Sequence, residues 1–301
     1  MQSEPDHLPA PGASAAQIAA YYNANTARFL RFGGSGDTAA IHRAIWAPGV
    51  TSKAQAFNYL NALVAQAVVP LLGTAEDGTN ASVHLLDLGC GVGGTSTWLA
   101  QTLGITVTGV TLSTAQIEVA RERAQRLGLT EQVKFLLSDF SALPAIAPVQ
   151  AACAIESFVH APDAKAFFAM AARQVQPGGR LIICDDFLNP PHSPQALRWV
   201  NRFIRGWHLN NLLASSAVET LAAEAGFRLI EAHDLSPYLR SFHPVWLWLV
   251  TTVTRLPLRW AYWQNLSGGT ALQVCVRRGW TQYRALVWER TGEQTDHSQS
   301  T

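Results

Sequence analysis

Val83-His84-Leu85-Leu86-Asp87-Leu88-Gly89-Cys90-Gly91-Val92-Gly93-Gly94-Thr95 joins an apolar run to an acid and then to four glycines within six residues. The run reads as a buried strand, and the glycines as a tight turn that opens a helix. Glycine has no Cβ, so such a turn lets a ligand come close to the backbone. The helix start behind it offers unpaired N–H groups and the positive end of the dipole. Asp87 stands just ahead of the turn, where a carboxylate meets a cationic or hydroxyl-bearing ligand.

The same rhythm continues on both sides. Upstream, Ala15 to Phe32 carries Ile18, Tyr21, Tyr22, Phe29 and Leu30 at near-helical spacing, and Gly33-Gly34-Ser35-Gly36 should stop that helix. Ala40 to Trp46 is apolar with a basic pair, His42-Arg43. Ser52 with Gln55 has the pattern of a capping box, so a long helix is expected through Phe57, Leu60, Leu63, Val64 and Ala67 to about Leu72. Strands are expected at Val83–Leu88, Ile105–Thr111, Val133–Leu137, Gln150–Ile155 and Arg180–Cys184. Between them fall helices at Thr95–Leu103, from Ser113 (with Gln116 as a second capping box) to Leu127, and at Pro162–Val175, while Pro177-Gly178-Gly179 reads as a turn. After Pro190-Pro191 come helices at Ala196–Trp207 and Ala217–Ala225, a sixth strand at Arg228–His233 and a last one at Gln282–Glu289. Strands alternating with helices predict a parallel sheet with helices on both faces. The expected plan is a disordered tail (1–14), an N-terminal helical cover (15–80), a core (81–235), a helical insertion (236–281), a last core strand (282–290) and a second disordered tail (291–301).

Composition narrows the partners. Hydrophobic residues make up 48% of the 301, enough for a sizeable core. Lys plus Arg is 22 against Asp plus Glu 21, which gives no electrostatic reason for nucleic acid. Cys90, Cys153, Cys184 and Cys275 are scattered without metal-ligand or disulfide-framework spacing, so no metal is expected. No apolar segment follows Met1 as in a signal peptide, and Val245 to Thr254 is too short to span a bilayer. The expected location is the cytoplasm.

Two cofactors suit the glycine turn. A dinucleotide needs an acid roughly twenty residues on for its ribose, and Val110-Thr111 stands there instead. S-adenosylmethionine suits the phrase Asp87-x-Gly89-x-Gly91-x-Gly93. With Gly109-Val110-Thr111-Leu112-Ser113, Gln116, Ser138-Asp139 and Pro177-Gly178-Gly179, the chain from about Tyr21 to Phe227 resembles the class I S-adenosylmethionine-dependent methyltransferases. The branch it resembles is that of tocopherol, sterol, cyclopropane-fatty-acid and natural-product sugar methyltransferases. The resemblance implies a Rossmann-like, seven-stranded, mostly parallel sheet. It also implies that Asp87, Gly89, Gly91, Gly93, Thr111, Leu112, Gln116 and Asp139 line the cofactor. Read singly, Asp139 is a turn or cap residue and Gln116 a cap partner.

Strand four ends in Glu156-Ser157-Phe158-Val159-His160-Ala161-Pro162-Asp163, which looks like the family's E-S-x-x-H-x-P-D phrase. Ligands of open α/β sheets bind outside the carboxyl ends of strands. His160, Glu156 and Asp186, the last at the end of strand five, are therefore the candidate catalytic residues. If a hydroxyl is methylated, His160 is the expected base, oriented by a carboxylate such as Asp186. If an alkene carbon is methylated, Glu156 or aromatic faces would steady the cation. Glu156 also reads as a tie between the N-terminal helices and the sheet, and His42 as packing over the cleft. The acceptor expected is a small, largely apolar molecule of secondary metabolism, O-methylated first, C-methylated second. A nicotinamide oxidoreductase and a non-catalytic cofactor binder are the remaining alternatives.

The connection from about Leu235 to Thr281 holds Trp246, Trp248, Trp260, Trp263 and Trp280. A segment of that size carries its own helices or a function. Most of these tryptophans are expected to form a small core of their own, with some lining an apolar pocket. Peripheral membrane contact at Thr254-Arg255-Leu256-Pro257-Leu258-Arg259-Trp260 is the weakest reading, because Pro257 interrupts any helix there.

Overall fold

Successive side chains of a strand point to opposite faces, and β1 (His84–Leu88) divides its leucines accordingly. Leu85 enters one core with Leu60, Val64, Leu99, Ile117 and Phe135. Leu86 and Leu88 enter the other with Phe158, Phe167, Phe168, Ile183 and Trp288. A sheet buried on both faces needs apolar residues at nearly every position, which is why these strands read as continuous apolar runs. The computed structural model describes residues 12–32, 36–73, 83–190, 193–240, 243–253 and 261–292. The disorder expected of residues 1–11 and 293–301, the helix stop at 33–35 and the interfacial stretch Thr254 to Trp260 lie outside the described residues.

The chain runs through α1 (Ala15–Phe32), α2 (Lys53–Val68), β1, α3 (Gly94–Leu103), β2 (Thr106–Thr111), α4 (Thr114–Arg126), β3 (Val133–Leu137), β4 (Val149–Ile155), α5 (Ala164–Gln174) and β5 (Val175–Leu188). It continues through α6 (Pro194–Trp207), α7 (Ser215–Glu224), β6 (Phe227–Asp234), α8 (Pro244–Val253), α9 (Ala261–Arg277) and β7 (Thr281–Arg290). The seven strands form one sheet in the order β3-β2-β1-β4-β5-β7-β6. Only β7 is antiparallel to its neighbours, pairing β5 on one side and β6 on the other. The expected Rossmann-like, seven-stranded, mostly parallel sheet is therefore present. Strand order reverses between β1 and β4, and the carboxyl ends there open the crevice where ligands of such sheets bind.

Caps explain most element boundaries. Ser52 and Gln55 form the full reciprocal box at α2. That helix closes earlier than expected, in a 3-10 turn at Val69–Leu71, because Pro70 has no N–H to continue it. Ser113 caps α4 through the Gln116 N–H, but the Gln116 side chain does not return to the cap. It accepts instead from Thr111 Oγ1 at 2.8 Å. The fifth strand is longer than its apolar run on both sides. Pairing with β4 passes from Val149–Val175 to Ala151–Arg180, so Pro177-Gly178-Gly179 is a bulge within β5 rather than a turn before it. At the other end β7 extends the ladder through Asp185–Arg284 and Asp186–Tyr283 to Leu188–Thr281. Asp185 and Asp186 thus lie inside a strand.

The segment between β6 and β7 carries α8 and α9, and its packing is not that of a separate small core. Helix α9 lies against α6 in a third core of Val200, Phe203, Ile204, Ala271, Leu272 and Cys275, joined by Trp199, Trp207 and Trp280. Trp246 of α8 is 64% exposed. Among the described residues, no tryptophan of the insertion lines a cavity near the crevice. Trp207, from α6, does so instead. Nor does any helix among the described residues have the length and apolarity to cross a membrane.

Candidate active site

The glycines of the turn are needed mostly by the protein itself. A Cβ on Gly89 would sit 2.3 Å from Ser157 Cβ, and Gly89 has φ +86°. A Cβ on Gly93 would meet Phe135 Cζ at 2.7 Å, and one on Gly94 the Ala39 carbonyl oxygen at 2.7 Å. Sheet packing, β4 and the N-terminal cover therefore each come close to the backbone here. Only at Gly91 is the space loose, with Ile41 Cδ1 at 3.6 Å. Gly89 and Gly91 line the cleft. Gly93 packs toward Phe135 and Ala120, on the α4 side of the sheet.

Asp87, Thr111, Leu112 and Gln116 line the same cleft. Asp87 is buried, with Ser96 Oγ donating to it at 2.5 Å and Cys153 Sγ at 3.6 Å. Burial raises its pKa to about 6 against those two hydrogen bonds, which lower it. Asp139 departs from expectation. Its carboxylate caps the turn at Phe140–Ala142 by accepting from the Ser141 N–H at 2.8 Å. Ser138 and Phe140 on either side line the cleft in its place. The cap reading of Asp139 is the one the geometry matches.

The cover is tied across the cleft at three places. Asn23 of α1 accepts from Ser113 Oγ at 2.6 Å and from the Ala115 N–H at 3.1 Å, pinning α1 over the start of α4. Arg43 makes the second tie. Its Nη1 and Nη2 donate to the two carboxylate oxygens of Asp186 at 3.1 and 2.7 Å. Its backbone N–H and Nε donate to Glu156 Oε1 at 2.9 and 3.0 Å, where Tyr283 Oη–H also donates at 2.9 Å. The guanidinium stacks 3.9 Å from the centre of the Tyr283 ring. Burial alone would raise Glu156, but Arg43 and then His42 bring it below the usual carboxylate value. Asp186 stays raised, because burial outweighs the same Arg43. Glu156 holds φ +50°, a costly conformation outside glycine that these contacts enforce.

Tyr22 of α1 makes the third tie, to His160. His208 ends α6 in the left-handed region at φ +55° and its carbonyl oxygen lies 3.3 Å from His160 Nδ1. A carbonyl only accepts, so Nδ1 carries the proton and Nε2 accepts from Tyr22 Oη–H at 2.9 Å. Burial lowers the His160 pKa to about 4, so the ring is neutral near pH 7. Behind it, Asp185 is spent on the backbone N–H groups of Val159 and Asp186 at 3.1 and 2.9 Å.

Glu156, His160 and Asp186 thus converge on one cleft. Sequence reasoning did not find Tyr22, Arg43, Trp207 or Tyr283 as site residues. Tyr22 and Tyr283 were hidden because they sit at ordinary apolar positions of a helix and a strand. Arg43 left a signal, being a full charge in an otherwise apolar segment.

Comparison with known proteins agrees with this geometry. A family model described as a methyltransferase domain matches residues 85–179. An O-methyltransferase of Pyrenophora dematioidea is 36% identical over 160 residues, 52% of this chain and 58% of that protein. An O-methyltransferase of Aspergillus nomiae is 33% identical over 154 residues, 50% of this chain and 67% of that protein. The chain spans under two thirds of the length of the first of these relatives. A geranyl diphosphate C-methyltransferase from Streptomyces coelicolor, solved with Mg2+, geranyl diphosphate and S-adenosyl-L-homocysteine, shares the fold. Its TM-score is 0.65 at 21% identity, covering 94% of this chain and all of that one. With glycine turn, switch-point cleft and these relatives together, the chain belongs to the class I S-adenosylmethionine-dependent methyltransferases. The dinucleotide alternative falls with that assignment.

Proposed function

We propose that the protein transfers a methyl group from S-adenosylmethionine to a hydroxyl of a small, largely apolar molecule. One observation carries the reading. The cofactor cleft opens, past His42, Glu156, His160 and Trp207, into a second cavity of about 330 Å³ lined by Tyr21, Tyr22, Phe29 and Phe57. Apolar walls with a few convergent polar groups are the usual form of a small-molecule site. The four cysteines are free and buried, which supports a reducing compartment such as the cytoplasm.

The residues present fit the cofactor. Asp87 offers a buried carboxylate to the ammonium end, and Gly91 leaves its backbone open. Thr111 and Gln116 offer polar atoms to the ribose and adenine side. When bound, the cofactor supplies a methyl group already activated on a sulfonium. The protein then has to align nucleophile and methyl, keep water out and receive the proton. Arg43 and the Tyr22–His160 pair hold the cover shut over that alignment. His160 has no ring nitrogen left for a substrate proton, since Nδ1 and Nε2 are engaged by His208 and Tyr22.

Titration calorimetry with S-adenosylhomocysteine tests the cofactor. Binding of one equivalent is expected, and absence of binding sinks the proposal. Affinity should weaken as the pH falls through about 6, because Asp87 takes up a proton there and loses the charge that meets the ammonium. A flat profile across that range removes Asp87 from the contact. Replacing His160 with alanine loosens the Tyr22 tie that holds the cover and should cut turnover about 10²-fold through lost alignment while leaving S-adenosylhomocysteine affinity nearly unchanged. An unaltered rate would remove the Tyr22–His160 pair from the reaction.

Carbon methylation is the second reading. The aromatic lining of the cavity supports it, because ring faces steady a cation formed on an alkene acceptor. Glu156, which borders both cavities, would assist there.

A further inference from the structure

His42 stands where the two cavities meet and lines both. It is 9% exposed. Its Nδ1 lies 3.2 Å from the carbonyl oxygen of Arg43. That oxygen only accepts, so Nδ1 carries the ring proton and Nε2 is left as a bare lone pair. Nε2 is buried without a partner. His160 differs, since both of its nitrogens are engaged, by His208 and Tyr22. Burial holds His42 below its ordinary pKa, against the pull of Glu156, so the lone pair is available near neutrality.

An unpaired buried acceptor is costly. His42 Nε2, at the junction of the two cavities, is therefore short of one hydrogen-bond donor. We propose that the acceptor molecule supplies it, through the hydroxyl that is methylated, and that His42 Nε2 is the atom receiving that hydroxyl's proton. This rests on the methyl-transfer reading above and decides within it between oxygen and carbon. An alkene brings no donor and leaves Nε2 unpaired, whereas a phenol, enol or alcohol satisfies it. In the step, the acceptor oxygen bonds to the methyl carbon, the sulfur keeps the pair of the broken bond, and the hydroxyl proton passes to His42 Nε2. The imidazolium so formed faces Glu156, whose charge favours it. Arg43, through its backbone carbonyl, fixes the tautomer, and through its side chain fixes Glu156.

The test uses two probes of one shape, 1-naphthol and 1-methylnaphthalene, titrated into the protein with and without S-adenosylhomocysteine. The hydroxyl probe should bind about tenfold tighter or better, the fold-change that corresponds to about 1.4 kcal/mol. His42→Phe should bring the ratio near one, and His42→Gln, which keeps an acceptor oxygen, should restore part of it. In protein carrying ¹⁵N-histidine, the His42 Nε2 resonance should lie in the unprotonated range and move toward the protonated one when 1-naphthol is added. That readout needs no variant to fold. Equal affinity for the two probes, no binding of either, or a hydroxyl preference that survives His42→Phe overturns the proposal. Failure to bind S-adenosylhomocysteine, with the naphthol preference intact, would instead sink the methyl-transfer reading and leave the hydroxyl subsite standing.

Discussion

Arg43→Ala should lower folding stability by about 3–5 kcal/mol, the range for removing one partner of a buried ion pair. Glu156 and Asp186 would then face each other in the protein interior with no counter-charge, their side chains 17% and 3% exposed. A urea unfolding curve reads the loss as a lowered midpoint. The pH dependence has a definite sign. In the wild type Glu156 is held low by Arg43, so its contribution is present above its unfolded pKa and fades as the pH drops through the folded value. In the variant both carboxylates are raised, and a raised carboxylate binds its proton more tightly folded than unfolded. The penalty of Arg43→Ala should therefore shrink as the pH falls into the carboxylate range. Combining it with Asp186→Asn should destabilise less than the sum of the two single changes, because the second removes the charge the first leaves stranded. Additive losses, or a penalty independent of pH, would show that the tie carries little energy.

Gly89→Ala should be nearly as damaging, for a steric reason. The new methyl would fall 2.3 Å from Ser157 Cβ at a backbone φ of +86°. Left-handed backbone costs a non-glycine residue about 1–2 kcal/mol, and forced overpacking adds about 1–3 kcal/mol. Ser157 has little room to yield, since its Oγ donates to the Leu88 carbonyl at 2.5 Å. Any relaxation moves β1 against β4 at the switch point, so S-adenosylhomocysteine affinity should drop at least about tenfold along with stability. Gly91→Ala, with only Ile41 Cδ1 at 3.6 Å, should cost much less stability. Equal thermal midpoints for the two variants would contradict this account.

Patterns that act through neighbouring residues were readable in the chain. The strand–turn–helix around Asp87, the Ser52 box and the alternation of strands and helices all depend on local spacing, and the structure reproduces them. The four glycines were read as room for a ligand, whereas Phe135, Ser157 and Ala39, distant in sequence, are what three of them accommodate. No local pattern encodes such approaches. The C-terminal boundary of β5 is missed for the same reason, because β7 lies about a hundred residues downstream and decides how far the ladder runs at that end. At the candidate site, the strand-four phrase drew attention to Glu156 and His160. Their partners Arg43, Tyr22 and Tyr283 come from the two ends of the chain, and only the fold brings them together. His42 was legible as a histidine over the cleft. That its Nε2 is unpaired follows from the Arg43 carbonyl beside it.

The position of β7 sets an order of assembly. It lies between β5 and β6 and gives the Tyr283 hydroxyl to Glu156. On a chain still being synthesised, β6 has emerged before the strand it pairs with. Glu156 and Arg43 must likewise wait, already translated, for a residue that arrives late. Domains generally fold as units during translation, and in this one Arg43, Glu156 and Tyr283, far apart in sequence, meet at the site. The fold therefore delays completion of the cleft until β7 is made, so a chain released before β7 lacks both the outer sheet pairing and the Tyr283 contact to Glu156.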